Sequence, residues 1–402
     1  MQLLLSDALD TVIAFLERVT AFRFWKISTA LACTLFSILF HNPDYSSFDL
    51  DNPKPTGFAD YRDNWKAIYQ QSQHPLVAHK HSPGSHQSKI AFRLAPPLIG
   101  RLFPSTDYAS FSVHLFLFQH VLGLLFFYLF LSLLCQLTEM KVYALLLTLS
   151  TPFIYLGNSF FWDTFGWFDG IAFFALMAGL YALIKGHYWL LSLFLTIAFW
   201  TDERAIVVSP VVFFWMPYVQ KEAQDLNGTT SWKRLVPYYV ATVLAYIIVR
   251  WYIGFQFGLA VPAGSGSLLG GKVLLYNTQS IPYSFVNAFS GYWLPILLVI
   301  GWAWKNADKL YFRLAMLSIG ASVLASYCVL DVVRSLMYLF VWLLLALIIV
   351  ARVSEKRFAL GVALVVAITS FMAPTLFYMG KTPVLLNSFS EIKRLLTQAP
   401  PL

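Results

Sequence analysis

Charged side chains recur at the ends of apolar segments in this chain, and they are the residues best suited to chemistry. They are Asp163, Asp169, Asp202, Glu203, Arg204, Asp331 and Arg334. A carboxylate is expensive to keep near a lipid bilayer, so its presence there predicts a partner or a function. An arginine guanidinium carries paired donors in one plane, and these match the oxygens of a phosphate. The pattern therefore predicts a polar site at a membrane surface.

Two of these groups also have a simpler explanation as local ion pairs. Asp202 and Arg204 lie in a short turn between two apolar segments and can neutralise each other there. Asp331 and Arg334 are one helical turn apart, so they can pair on one face of a helix. Both interpretations remain open for each group at the level of the sequence.

Asp163 and Asp169 flank the aromatic sequence FGWF. Aromatic residues of this kind form belts at membrane interfaces, and the two acids would then be incidental. A belt does not explain why two carboxylates lead into the apolar segment GIAFFALMAGLYALI. We therefore favour a functional interpretation of both acids.

A second set of acids lies between the first two apolar segments. Asp60 and Asp63 occur in FADYRDNWKAIY, whose aromatic and apolar residues recur at near-helical spacing. The spacing predicts a short helix with both acids at its N-terminal end, where the helix dipole favours negative charge. Solvated helix-start residues are the alternative interpretation. Further along, Arg93 precedes two prolines in AFRLAPPLIGRL.

Composition identifies the class of protein. The 402 residues are 58% hydrophobic and 12% charged, whereas a soluble domain carries about 25% charged residues. Repeated apolar runs of about 20 residues predict a polytopic membrane protein. The net charge of +8 suits cytoplasmic loops that contact anionic lipid, and no basic-aromatic patch indicates nucleic acid. The three cysteines lie inside apolar runs, which favours core packing over disulfides or metal binding.

The predicted fold class is all-α, a transmembrane helical bundle with about eleven spans. Residues 1–23 are predicted to form an amphipathic interfacial helix. Residues 24–379 form the transmembrane domain, with a long first outer loop at 42–108, and residues 380–402 form a C-terminal tail. The predicted spans are 24–41, 109–135, 141–157, 166–184, 187–200, 204–220, 235–256, 288–304, 310–330, 334–351 and 357–379.

Lysine and arginine predict the orientation of these spans. With the N-terminus in the cytoplasm, the later inner loops and their flanks carry eleven basic residues, and the outer ones hold only Arg204, Arg250, Lys272 and Arg334. Basic residues favour the cytoplasmic side. The predicted location is therefore the bacterial inner membrane, with the row of acids on the extracytoplasmic face.

This layout resembles the membrane glycosyltransferases of the GT-C class, which use a polyprenyl-phosphate-linked sugar as donor. The resemblance covers most of residues 24–351 as a pattern of helices and loops. In several such families the first-loop acids are adjacent, whereas here they are three residues apart. The matching elements are Asp60 and Asp63, Arg93-Leu94-Ala95-Pro96, Asp169-Gly170, Asp202-Glu203-Arg204 and Asp331-Val332-Val333-Arg334.

The resemblance implies transfer of a sugar from a polyprenyl-phosphate carrier to a hydroxyl acceptor. It implies Asp60 or Asp63 as the catalytic base, and Arg204 or Arg334, together with Arg93, as the phosphate contact. The remaining members of the predicted substrate-binding set are acids. Asp169 and Asp202 would bind hydroxyls or a divalent ion such as magnesium or manganese, and the others are Asp163, Glu203 and Asp331.

The expected partners are the lipid-linked sugar, membrane lipid, and a glycan, lipid or protein acceptor. Two other function classes remain open. A lipid-carrier flippase or transporter predicts charges near the bilayer midplane and often internal repeats, and the sequence shows no repeat. A polysaccharide polymerase or acyltransferase of the cell envelope would also use an outer cavity, and acyl transfer favours a histidine at its centre.

Overall fold

The computed structural model describes residues 2–41, 61–77, 91–163, 165–223, 232–259, 270–373, 375–379 and 382–387. Asp60, one of the two predicted bases, lies outside these ranges. Within them the regular secondary structure is helical apart from one antiparallel hairpin, and turns and loops connect the helices. This confirms the predicted all-α class in its coarse form.

Helices of very different length follow one another along the described residues, with single 3-10 turns at Thr151–Phe153, Thr278–Ser280, Ser290–Tyr292 and Met337–Leu339. In chain order the α-helices are α1 Gln2–Ala21, α2 Trp25–His41, α3 Tyr61–Gln73, α4 Ala95–Gly100, α5 Tyr108–Thr138, α6 Lys141–Ser150, α7 Tyr155–Asn158, α8 Asp169–Ile184, α9 Tyr188–Thr201, α10 Arg204–Val208, α11 Val211–Ala223, α12 Trp232–Phe257, α13 Gly271–Asn277, α14 Ile281–Phe289, α15 Trp293–Asn306, α16 Lys309–Tyr327, α17 Val332–Leu336, α18 Phe340–Val353 and α19 Lys356–Met372.

Five helical stretches among the described residues are long and apolar enough to cross a membrane, or six if the bent pair of α1 and α2 counts as one span. The five are α5, α12, the run Gly271–Asn306, α16 and the run Val332–Val353. Three further apolar helices are shorter, at Asp169–Ile184, Tyr188–Thr201 and Arg204–Pro217. These helices are consistent with a membrane protein, and the predicted count of eleven spans is not confirmed.

Proline divides two of the predicted spans. The predicted span 141–157 is interrupted after α6 by the 3-10 turn that contains Pro152. The predicted span 204–220 is interrupted between α10 and α11 at Pro210. Proline lacks a backbone N–H and clashes with the preceding turn of a helix. Each predicted span is therefore a pair of short helices.

The two chain ends differ in how well they were predicted. The N-terminal helix is present as α1, and it meets α2 at 108°. The predicted span 357–379 needs correction, because α19 ends at Met372 and strand β1 (Thr375–Met379) pairs with β2 (Thr382–Asn387). Ala373 is extended, as expected for a residue that precedes a proline in the sequence.

Burial separates the centre of the bundle from its periphery. Every side chain of α18 from Phe340 to Val350 is buried, which is typical of a helix that is apolar on all sides. α8 and α9 pack together across a tight turn, where Gly186 has φ +72°. α12 lies at the periphery and exposes Ile248, Trp251 and Phe255, a face suited to contact with lipid.

Candidate functional site

Four segments converge at one end of the bundle, and each carries charged residues. They are the segment before α4, the loop that leads into α8, the turn between α9 and α10, and the start of α17. Hydrogen bonds between side chains join these segments. The predicted site residues that the structure brings together are Arg93, Asp163, Asp169, Asp202, Glu203, Arg204, Asp331 and Arg334.

Asp169 is the centre of this network. It opens α8 and is only 1% exposed. Its Oδ1 accepts hydrogen bonds from Arg204 Nη2 at 3.1 Å and from the Tyr338 hydroxyl at 3.2 Å. Its Oδ2 accepts from Arg334 Nε at 2.5 Å and from the Tyr155 hydroxyl at 2.9 Å. Asp169 therefore joins two arginines that are 130 residues apart in the sequence.

Arg334 is buried and held on three sides. Its Nη1 donates to Asp331 Oδ2 at 2.8 Å, so the local pair that the spacing allows is formed. Its guanidinium also lies over the ring of Trp167, 4.1 Å from the centroid. A desolvated cation–π contact of this kind contributes about 2 kcal/mol. The local pair is thus one part of a larger arrangement.

Asp202 is fully buried and links Arg204 to a third arginine, Arg93. Arg204 binds it through its backbone N at 2.9 Å, Nε at 2.7 Å and Nη2 at 2.5 Å, and Arg93 Nη1 lies 2.9 Å from Oδ2. Arg204 Nη1 also donates to the Ser335 hydroxyl at 2.6 Å. Burial raises the pKa of Asp202, but Arg204 and Arg93 outweigh burial and hold that pKa below its ordinary value. Asp202 is therefore ionised.

Glu203 is at the rim of the network. Its side chain is 42% exposed, and it accepts two hydrogen bonds from Arg93, from Nε at 3.1 Å and from Nη2 at 2.9 Å. This is the paired geometry that arginine makes with carboxylates. Burial lowers the pKa of Arg93, but Asp202 and Glu203 outweigh burial and raise it above its ordinary value.

Asp163 differs from the other buried acids because its partners are neutral. Its oxygens accept hydrogen bonds from the backbone N–H groups of Trp167 at 3.0 Å and Phe168 at 2.6 Å. Burial is the largest influence and raises the pKa of Asp163 to about 6. Asp163 thereby fixes the loop that positions Trp167 on Arg334.

The charges of the network nearly cancel. Arg93, Arg204 and Arg334 face the carboxylates of Asp169, Asp202, Glu203 and Asp331, which leaves one net negative charge. Each of the three arginines already binds carboxylates of the protein itself. The Asp202–Arg204 and Asp331–Arg334 pairs are both present, and both are joined to Asp169.

Helix α3 covers one side of this network. Asn64 donates to the Phe165 carbonyl oxygen at 3.2 Å, and Trp65 packs edge-on against Phe168 with ring centroids 5.5 Å apart. The predicted helix in the first loop is therefore confirmed. Asp63 on this helix is exposed, and it forms no hydrogen bond or ion pair with the residues that the structure describes.

One cavity lies beside the network, and a larger one lies between helices of the bundle. A small one of about 10 Å³ lies between α3, α4 and the loop before α8, beside Arg93 and Trp167, and it has room for about one water molecule. A cavity of about 420 Å³ lies between α14, α15, α16 and α18. Its lining is almost entirely apolar, with Phe289, Trp293 and Trp342, and it reaches Leu339, the neighbour of Tyr338.

The donor set does not match a divalent metal ion. Among the described residues, no three histidine, cysteine, aspartate or glutamate side chains converge as metal ligands. The carboxylates of Asp169 and Asp202 are directed at guanidinium groups instead. We therefore assign no metal ligand within the network.

Sequence reasoning missed the neutral members of the site. Tyr155, Tyr338 and Ser335 each bind a charged partner in the network. Tyr338 and Ser335 lie in the apolar run SLMYLF, where a lone hydroxyl carries no periodic signal. The pairing of Arg93 with Glu203 crosses 110 residues and likewise has no local signature.

Comparison with models of protein families, with curated proteins and with solved structures finds no match for this chain.

Proposed function

We propose that this protein is a membrane glycosyltransferase that transfers a sugar from a polyprenyl-phosphate carrier to a hydroxyl acceptor on the extracytoplasmic side. The observation that carries the proposal is the buried charged network around Asp169, at one end of an apolar helical bundle. Burying ion pairs costs desolvation that their attraction often fails to exceed. A network of this size is therefore better explained by a functional site than by stability. The resemblance to the GT-C class supports the same reaction.

The proposed base is Asp63 or Asp60. Asp63 is exposed and unpaired among the described residues, and its helix α3 packs on the loop that supports the network. The base removes the proton of the acceptor hydroxyl, and the hydroxyl oxygen attacks the anomeric carbon of the sugar. The bond from that carbon to the phosphate oxygen breaks, and the phosphate leaves on its lipid.

The network residues would bind and orient the substrates. Glu203 is partly exposed, so it can accept hydrogen bonds from sugar hydroxyls while it remains paired with Arg93. Asp169 and Asp202 are buried and, together with Asp331, hold Arg93, Arg204 and Arg334 in fixed positions. A rigid set of donors stabilises charge that develops on a leaving group without reorganisation.

The apolar cavity of about 420 Å³ supports a lipid-linked substrate. It is bounded by helices of the membrane-spanning runs, and its aromatic and aliphatic lining suits a hydrocarbon chain. It reaches Leu339 beside the network. A polyprenyl chain in this cavity would bring its phosphate toward the charged end of the bundle.

The test is transfer of labelled sugar from polyprenyl-phosphate donors by membranes that contain wild-type protein, Asp60→Asn or Asp63→Asn. Removal of the base should lower turnover roughly 10²–10⁴-fold in one of the two variants. Asp107→Asn is the matched control. Asp107 is an exposed acid that caps α5, and asparagine caps a helix equally well, so turnover should be unchanged.

Undiminished turnover in both variants would contradict the assignment of the base. If the wild-type protein in proteoliposomes moves labelled carrier lipid across the membrane without any sugar transfer, the flippase alternative replaces the proposed function.

A further inference from the structure

Arg250 is a charged residue that the network does not use. It lies in α12, a helix of 26 residues, and its neighbours in the sequence IIVRWYIGF are apolar or aromatic. Its guanidinium carbon lies 3.5 Å from the centroid of the Phe92 ring, and its Nη1 donates to the Phe92 carbonyl oxygen at 3.3 Å. Arg250 is thereby held beside Arg93, at the edge of the network.

Within the part of the chain that the structure describes, the second terminal nitrogen of Arg250 has no partner. Nη2 is buried and forms no hydrogen bond, and no carboxylate within the described residues forms an ion pair with this arginine. Glu203 is within electrostatic range, but both of its oxygens bind Arg93. A buried charged donor without an acceptor is unfavourable unless a ligand supplies that acceptor.

The surroundings of Arg250 suit a ligand that is anchored in the membrane. The neighbouring Trp251, Tyr252 and Phe255 are exposed on the lipid-facing surface, and such aromatic residues mark the level of the headgroups. At 1.5 Å per residue, α12 spans about 39 Å, which exceeds the hydrocarbon thickness of about 30 Å. Arg250 lies seven residues, or about 10 Å, before the end of α12, so its long side chain can extend from the span to the headgroup boundary.

We propose that Arg250, supported by Phe92, binds the phosphate of a lipid at this boundary. The arginines of the network bind carboxylates, whereas Nη2 of Arg250 has no acceptor among the described residues, and phosphate oxygens are acceptors that an arginine donor matches. Its side chain is partly exposed and held by one hydrogen bond, so a change of rotamer presents Nη2 to a ligand. The identification of that lipid as the sugar carrier rests on the proposed function.

The experiment measures lipid binding by purified protein in phosphatidylcholine nanodiscs. The probes are a polyprenyl monophosphate, the matching polyprenol, phosphatidylglycerol and inorganic phosphate. We expect wild-type protein to bind the polyprenyl monophosphate in preference to the polyprenol. Arg250→Gln should weaken that binding about tenfold or more, the effect of one charge-assisted hydrogen bond. The affinity of Arg250→Lys should lie between those of the wild type and Arg250→Gln, because lysine keeps the positive charge and lacks the planar guanidinium.

Arg101→Gln is the control, because Arg101 is exposed at the end of α4 and its side chain forms no ion pair with the described residues. Its binding should equal that of the wild type. Thermal unfolding of each variant verifies folding, and Arg250→Lys keeps the test valid if Arg250→Gln does not fold. If Arg250→Gln weakens the binding of phosphatidylglycerol as much as that of the polyprenyl monophosphate, the phosphate site is supported and its ligand is bulk phospholipid.

The proposal would be overturned by unchanged affinity in both Arg250 variants. It would also be overturned if the wild type did not prefer the polyprenyl monophosphate to the polyprenol, or if the variants changed only the binding of inorganic phosphate. The proposed function is tested separately, by the sugar-transfer assay. Arg250-dependent lipid binding without any sugar transfer would leave this site in place and reject the glycosyltransferase.

Discussion

At the scale of single residues, Asp169 determines whether the charged network holds together. Four donors converge on its two oxygens, two of them from arginines that come from different segments of the chain. Without Asp169, the buried Arg334 keeps its desolvation cost and loses its buried anion, because Asp331 is its only other carboxylate partner among the described residues. Asp331 contributes far less to the stability of the network, because its side chain is 28% exposed and water can replace it as a partner of Arg334.

We therefore expect Asp169→Asn to lower the free energy of unfolding by about 3–5 kcal/mol. Asp331→Asn should lower it by less than about 1 kcal/mol, as is usual for an ion pair in contact with solvent. Both variants remove one negative charge from a partner of Arg334, so they differ mainly in burial. The measurement is denaturant unfolding in detergent, and similar losses in the two variants would show that Asp169 is not the centre of the network.

At the scale of elements, the site depends on close approach between a long helix and the segment after α7. Gly123 in α5 faces Phe160 and Phe161, and a Cβ added there would lie 2.5 Å from Phe161 Cζ and 2.8 Å from Phe160 Cβ. Gly170 in α8 also faces Phe160. Phe160 and Phe161 are fully buried, so neither ring has space to withdraw. The glycines thus set how near α5 and α8 come to the loop that carries Asp163.

Gly123→Ala should destabilise the protein by about 1–3 kcal/mol, the usual cost of overpacking a core. Gly301→Ala in α15 is the matched control, since an added Cβ meets nothing within 4 Å there, and alanine is a better helix former by up to about 1 kcal/mol. The midpoint of thermal unfolding in detergent reports both. An unchanged midpoint in Gly123→Ala would mean that the contact at Phe160 and Phe161 is looser than the structure has it.

At the scale of the whole molecule, the residues of the charged network gather at one end of the bundle, and the turn after Asn306 lies at the opposite end. The 19 residues of α16 separate the turn after Asn306 from Asp331, a rise of about 28 Å. The loop after α4, which contains Leu102, lies at the network end, since α4 lines the small cavity beside Arg93. The two ends are therefore expected on opposite sides of the membrane.

A membrane-impermeant thiol reagent tests this orientation in intact cells. In a variant without Cys33, Cys135 and Cys328, we expect Leu102→Cys to react from outside and Asn306→Cys to react only after the cells are opened. Leu102 is 79% exposed, and Asn306 is also exposed. Labelling of both positions from the same side would refute the one-sided arrangement, and labelling in the reverse order would place the network in the cytoplasm.

The sequence by itself determined the class of the molecule and the identity of its charged residues. Apolar runs predict membrane helices because a spanning segment must satisfy its backbone hydrogen bonds internally. The cost of charge near lipid then made Asp169, Asp202 and Arg334 conspicuous. The short helix in the first loop was also predictable, because aromatic spacing is a local signal. The number of spans was not, since Pro152 and Pro210 divide segments whose average hydrophobicity looks continuous.

Only the tertiary structure decided which charges meet. The spacing of Asp331 and Arg334 already predicts their pairing, but it cannot predict that Asp169 binds the same arginine from 165 residues away. The partners Tyr155, Tyr338 and Trp167 come from segments whose sequences read as ordinary apolar helix or aromatic belt. Local spacing records interactions within a few turns, whereas contacts between distant segments depend on how the helices pack. For that reason the unpartnered nitrogen of Arg250 became visible only in three dimensions.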